Sequence, residues 1–299
     1  MSLAELRTAT IPTPAGQRPR DDELDLFGLT HPGKVRKENQ DHFLMCTVHP
    51  EVVIHGTSLP TLDRLPLRGE RLATILLVAD GVGGSSAGGD ASQLATESIT
   101  RYVSSMLKSY HSAGTKEESV LRETLKRAAL EAHAAVLAEA GSRPEGRRMA
   151  TTLTLVIAVW PWAYVLQVGD SRCYYYIDGS LRQVTRDQTL AQNLVDRGAL
   201  PPERLSTSPL SHVLISAIGG DEATPEVTRL DVKPRGCVVL ICSDGLTKHV
   251  TDQQIAEQIA AMHSSEQLCR SLLELALNDG GSDNITVIAG RVRKTGDSG

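Results

Sequence analysis

Apolar residues are distributed along this chain in two rhythms. Short, mostly apolar runs predict strands at 24–30 (LDLFGLT), 42–48 (HFLMCTV), 74–80 (TILLVAD), 173–178, 237–244 and 284–292. One further run, 151–169 (TTLTLVIAVWPWAYVLQVG), carries no charge and has about the length of a membrane span. Pro161 interrupts it, and Thr alternates with Leu and Val at its start, so it reads as two strands joined at Trp160-Pro161. Helical spacing follows elsewhere. Asp90 with Gln93 three residues on marks a helix start, with Ala95, Ile99, Tyr102, Val103, Met106 and Tyr110 along one face. A second helix begins at Thr115 with Glu118 in capping-box position, carries Leu121, Leu125, Ala128, Ala132 and Val136, and stops near Gly141. Another pair spans 252–278, and LAQNLVDRGAL (190–200) predicts a shorter one.

Strands come in consecutive groups interrupted by helix pairs. That order predicts an α+β fold, antiparallel sheets covered by paired antiparallel helices, and not a parallel strand-helix alternation. Residues 24–292 form one domain in this reading, with 49–72 a surface excursion between two strands and 185–225 a polar, proline-containing section. Residues 1–23 and 293–299 read as tails; the first lacks the basic and then apolar build of a signal peptide.

Composition narrows the class of partner. Aromatic residues are 3 % of the chain, so the core must be aliphatic. A formal net charge of −5 and a pI near 6.0 argue against a general nucleic-acid or anionic-membrane surface, each of which needs a basic face. The five cysteines, Cys46, Cys173, Cys237, Cys242 and Cys269, form no CxxC pair and sit mostly in apolar runs. Buried, reduced thiols are expected, as suits a cytoplasmic protein.

Three apolar runs stop on an aspartate: ILLVADG ends at Asp80, VLQVGD at Asp170 and VVLICSDG at Asp244. A hairpin turn would explain an Asp-Gly pair, but it predicts a second alternating strand straight afterwards. Gly81 is followed by VGGSSAGG and Gly245 by a loop-then-helix pattern. Asp41 just before FLMCTV and Asp283 just before NITVIAG add two more acids at strand ends. Any one of these aspartates is satisfied by a turn or a helix cap. All five at one end of a sheet would repel, and a divalent cation resolves the conflict. Oxygen ligands without His or Cys select Mg²⁺ or Mn²⁺ over Zn²⁺. The Gly81 carbonyl is a possible ligand, and GVGGSSAGG has the spacing of neither common nucleotide-phosphate loop. Arg36, five residues ahead of Asp41, suits a bidentate grip on a phosphoryl group.

Eight motifs in order, VRKENQD (35–41), VADGVGG (78–84), ATTLTLVIA (150–158), VGDSRCYYY (168–176), QVTRDQTLAQNLVDRGAL (183–200), LISAIGG (214–220), LICSDGLT (240–247) and GGSDNITVI (280–288), resemble the metal-dependent type 2C serine/threonine protein phosphatase family in its compact bacterial form. The resemblance implies a four-layer α-β-β-α sandwich with a binuclear Mn²⁺ or Mg²⁺ centre at one end. It implies that Asp80 bridges the two ions, that the Gly81 carbonyl helps hold one, and that Asp244 and Asp283 complete the other. Asp41 acts beside them directly or through water; Asp170 and Asp244 match a pair that binds a third, weaker ion. Arg36 matches the phosphate-gripping arginine, and 185–225 the flap beside the substrate. Phosphorylated proteins, a Ser/Thr kinase or its targets, are the implied partners of a monomeric enzyme.

The chain also departs from the family pattern. Gln40 stands where many relatives have Glu, Val82 and Ser85 stand near a missing histidine, Gln188 replaces a flap histidine, Lys248 an acid, and Ala150 a glycine. Gln40 and the missing histidine leave a pseudophosphatase that binds phosphoproteins or a kinase without turnover as one alternative; a phosphatase of small phosphorylated metabolites is a separate one.

Overall fold

In the computed structural model, described at residues 16–293 except 56, 59–60, 62–64, 66, 84–86, 113–117 and 144–148, the predicted strand runs all form strands, and several are buried on both faces. In chain order the elements are β1 (Leu24–His31), β2 (His42–Val48), β3 (Ala73–Ala79), β4 (Gly81–Val82), α1 (Ala87–Ser112), α2 (Glu118–Ser142), β5 (Ala150–Thr151), β6 (Leu153–Val159), β7 (Trp162–Val168), β8 (Arg172–Ile177), β9 (Ser180–Gln183), α3 (Leu190–Asp196), β10 (Glu226–Asp231), β11 (Val238–Cys242), α4 (Asp244–Thr247), α5 (Asp252–Ala260), α6 (Ser265–Asn278) and β12 (Ile285–Val292). One five-stranded antiparallel sheet runs β1-β12-β11-β8-β9 and the other β10-β7-β6-β3-β2.

The two faces of each strand go to different apolar layers. In β3, Ile75, Leu77 and Ala79 pack under α1 and α2, whereas Leu76 and Val78 face the opposite sheet. In β11, Val238, Leu240 and Cys242 pack under α5 and α6, while Val239 and Ile241 meet the other sheet. Three apolar layers between four layers of secondary structure follow, and this is why these strands read as unbroken apolar runs instead of alternating ones. It is the α-β-β-α sandwich expected. Burying a Val, Leu or Ile side chain stabilises the fold by about 1.5–3 kcal/mol, so the aliphatic core suffices despite few aromatics.

The charge-free run 151–169 is β6 and β7, paired with Leu153 opposite Val168 and Val159 opposite Trp162. Among the described residues no helix is long and apolar enough to cross a membrane. Four cysteines are buried and Cys46 is half-buried, all as free thiols.

Two boundaries differ from expectation. Helix α1 begins at Ala87, so Asp90 lies in its first turn, where it pairs with Arg143 at 2.6 Å, and does not cap it. The glycines at 88 and 89 are the reason: a Cβ on Gly88 would stand 2.7 Å from Gln40 Oε1. The helix therefore packs its start against the loop before β2. Thr115, expected to open α2, lies outside the described residues, and the described helix starts at Glu118. Upstream, residues 1–15 also lie outside the described residues, but the stretch assigned to a tail is packed by residue 19. Pro19 is buried, Asp21–Glu23 form a 3-10 turn, and Glu23 pairs with Arg235 at 2.9 Å.

Candidate active site

The strand ends answer why apolar runs should stop on aspartates. Asp80 directly follows β3, Asp244 opens α4 two residues after β11, and Asp170 lies where the chain leaves β7 in one sheet to enter β8 in the other. None of the three is a hairpin tip. All three, with Asp283 just before β12, line one cleft of about 1680 Å³, much of it open solvent, at a single end of the sandwich. Arg36, Gly81, Gln40, Thr152, Lys248 and Asn284 share its wall.

Local contacts fix each acid in place. The Asp80 N–H donates to Thr152 Oγ1 at 3.0 Å, and its carbonyl accepts from Thr152 N–H and Thr151 Oγ1, both at 2.8 Å. A Cβ at Gly81 would meet the Gly88 backbone at 2.5 Å, and one at Gly245 would meet the Asn284 carbonyl at 1.9 Å. Each Asp-Gly pair thus needs its glycine so that a neighbouring backbone can close onto it. Asn284 binds the Arg36 loop to β12: its Nδ2 donates to the Pro32 and Glu38 carbonyls at 3.1 and 2.9 Å, and its Oδ1 accepts from the Gln40 N–H at 2.9 Å.

Asp41 is the predicted ligand that does not reach the cleft wall. It is 4 % exposed, behind the cleft, and its Oδ2 accepts from Ser243 Oγ at 2.8 Å and Thr286 Oγ1 at 2.7 Å. Its Oδ1 is buried with no hydrogen-bond partner. Burial pushes the Asp41 carboxyl up to about 6 against the pull of those two hydroxyls. Asp80 is raised well above the carboxylate range, by burial first and then by the charges of Asp41, Asp244, Asp170 and Asp283. Asp170 is pushed up to about 8, again by burial, with Asp244 and Asp187 adding to it.

Asp283 behaves in the opposite way. Although burial opposes it, Arg36 and Lys248 hold its carboxyl below the ordinary range. Arg36 grips it with both arms of the fork, Nε to Oδ1 at 2.7 Å and Nη2 to Oδ2 at 2.9 Å. Lys248 Nζ lies 2.7 Å from Asp244 Oδ2 and 2.8 Å from Asp283 Oδ2. Arg36 therefore clasps a carboxylate with the fork expected to hold phosphate. Among the described residues, no three His, Cys, Asp or Glu side chains are gathered closely enough to hold a metal ion as they stand. The acids share a cleft without closing around a point, because like charges repel and an ammonium stands between two of them.

The residues nonetheless fit hard divalent cations. A buried carboxylate oxygen without a donor, an Asp80 carboxyl buried among four other acids, and an all-oxygen donor set are what such ions would satisfy.

A model of the protein phosphatase 2C family matches residues 56–278. The chain belongs to this family. It is 34 % identical over 220 residues to the serine/threonine protein phosphatase PstP of Mycobacterium tuberculosis, a match covering 74 % of this chain and 40 % of PstP. To the serine/threonine phosphatase stp of Listeria monocytogenes it is 31 % identical over 216 residues, covering 72 % of this chain and 82 % of the relative. The chain thus spans about 40 % of the length of PstP and most of the Listeria protein. The crystal structure of M. tuberculosis PstP/Ppp superposes with a TM-score of 0.71 at 28 % identity, covering 91 % of this chain and 99 % of that one. A PstP catalytic domain described in complex with two manganese ions superposes at 0.68, also at 28 % identity, with the same coverage of both chains.

Three residues of the type 2C cleft escaped the reading of motifs. Lys248 was visible only as a departure from the family, though its place four residues after Asp244 on a helical turn puts it on the same face. Asn284 sits inside GGSDNITVI, but its role in binding the Arg36 loop depends on contacts some 250 residues away in sequence. His212 comes from a short 3-10 helix in the flap and lines the cleft beside Leu214; no local signal marks it. Gln188, noted as replacing a histidine, is buried, accepts from the Gly169 N–H at 2.8 Å and donates to the Thr224 carbonyl at 2.9 Å. It ties the flap to the Asp170 turn and serves structure.

Proposed function

We propose that the protein is a metal-dependent phosphatase that hydrolyses phosphoserine and phosphothreonine esters in proteins. Asp80, the Gly81 carbonyl, Asp244 and Asp283 would hold two Mn²⁺ or Mg²⁺ ions, with Asp170 and Asp244 offering a weaker third place. When bound, the ions supply charge neutralisation at the phosphoryl oxygens and lower the pKa of water. Asp41 backs the cluster from within the fold and sets the charge that Asp80 feels. Arg36, half-exposed on a loop anchored by Asn284, turns its fork from Asp283 to the phosphoryl group and orients it. Phosphoryl transfer is mostly positioning and electrostatic stabilisation, so these few groups suffice. The single observation behind this reading is the set of carboxylates at one end of the sandwich, with no ion pair to Asp41 or Asp80 among the described residues. A cytoplasmic signalling role, opposite a Ser/Thr kinase or on its targets, and a monomeric state belong to the same proposal.

A second reading, a phosphoprotein-binding module with little turnover, draws on Lys248 standing between two of the acids. Assaying purified protein with Mn²⁺ on p-nitrophenyl phosphate and on a phosphothreonine peptide separates the readings. Hydrolysis of both supports the protein phosphatase; silence on both supports the binding module; activity on the small ester alone points to a metabolite enzyme.

A further inference from the structure

The two basic side chains of the cleft are unevenly placed. Asp283 meets both of them, Asp244 meets Lys248, and among the described residues neither cation lies at ion-pair distance from Asp80, Asp41 or Asp170. Lys248 is held there: burial works against its charge, yet Asp244 and Asp283 keep the ammonium above the ordinary lysine range. Its stem is flexible and its side chain 23 % exposed, so the head has a path to solvent. A ligand cation approaching Asp244 and Asp283 therefore meets a resident positive charge and has to displace it.

We propose that the Lys248 ammonium is a built-in counter-cation that competes with divalent ions for Asp244 and Asp283, so that this chain binds its metal more weakly than its carboxylates alone would. The inference rests on the metal-centre reading above and adds to it a determinant of metal affinity. With no ion bound, Lys248 relieves the repulsion between two acids; with an ion bound, it is surplus charge. Removing it should thus act with opposite sign on the two states, which a merely structural lysine would not do.

The test is isothermal titration of Mn²⁺ into the whole chain, with melting curves in EDTA and in Mn²⁺. Lys248→Gln should bind Mn²⁺ about tenfold more tightly, the size of effect one like charge at close range has on an ionisation equilibrium. It should also melt lower than wild type in EDTA and show a larger Mn²⁺-induced rise. Lys248→Arg keeps the charge and should retain wild-type affinity, and Lys248→Met supplies a second neutral variant should the glutamine one fail to fold. Unchanged or weaker Mn²⁺ binding in the neutral variants overturns the proposal, as does equal tightening in the arginine variant. Wild-type protein that takes up no Mn²⁺ would instead overturn the metal centre itself, together with the role of Lys248.

Discussion

Asp25 and Asp41 are buried aspartates at opposite ends of one β-sandwich, and the fold treats them differently. Asp25, at the start of β1, pairs with Arg291 Nε at 2.8 Å and accepts from the Ser265 N–H at 3.0 Å. Nearby, Arg71 is bonded to Asp21 and to the Pro19 carbonyl, and Arg235 to Glu23. Every acid named at that end has its cation in the fold. Asp41, at the other end, has two hydroxyl donors on one oxygen and none on the other, and it neighbours Asp80, which four carboxylates repel. A buried charge costs several kcal/mol unless paired. The first end is scaffold; at the other, Arg36 and Lys248 pair only Asp283 and Asp244, and Asp41 and Asp80, with no ion pair among the described residues, are held ready for divalent cations.

Substitutions on the two ends should break the comparison if it is false. The largest effect is expected for Asp80→Asn: Mn²⁺-dependent hydrolysis of a phosphothreonine peptide falls to background, while the melting temperature in EDTA rises because one repelling charge is gone. Asp25→Ala should do the reverse. It removes the buried carboxylate that Arg291 pairs with and costs about 3–5 kcal/mol of stability by urea unfolding, with Mn²⁺ affinity by titration calorimetry unchanged. Arg36→Ala should mainly weaken substrate capture, raising KM for the peptide by an amount worth about 1.5–3 kcal/mol, with kcat less affected.

The gentlest probe is pH. Asp41 and Asp170 are pushed up to about 6 and about 8 in the folded protein, against roughly 4 for an ordinary carboxyl. Across that window the folded state holds more protons than the unfolded chain, so stability falls as pH rises. Metal-free protein should therefore melt progressively lower from about pH 4 to 8. Added Mn²⁺ should flatten the decline.

Much of this division was legible in the chain itself. Strand ends at Asp80, Asp170 and Asp244 were readable because strands buried on both faces show as apolar runs, and a polar residue that stops one is conspicuous. The layer order followed from grouping strands and helix pairs. What stayed hidden depends on contacts distant in sequence. Asp41 looks like Asp283 in the chain, yet Ser243 and Thr286 draw it behind the cleft. Asp25 carries no sign in LDLFGLT that Arg291 awaits it across the β1–β12 pair. Helix α1 starts at Ala87 because Gly88 lets it close onto Gln40, a tertiary cause that a capping pattern at Asp90 does not contain.

Anomalous diffraction at the manganese edge, from crystals soaked in Mn²⁺, tests the central claim most directly. Two peaks in the cleft among Asp80, Asp244 and Asp283, with none near Asp25, are the predicted result. A cleft without anomalous signal at saturating Mn²⁺, or ions bound only elsewhere on the molecule, would contradict it.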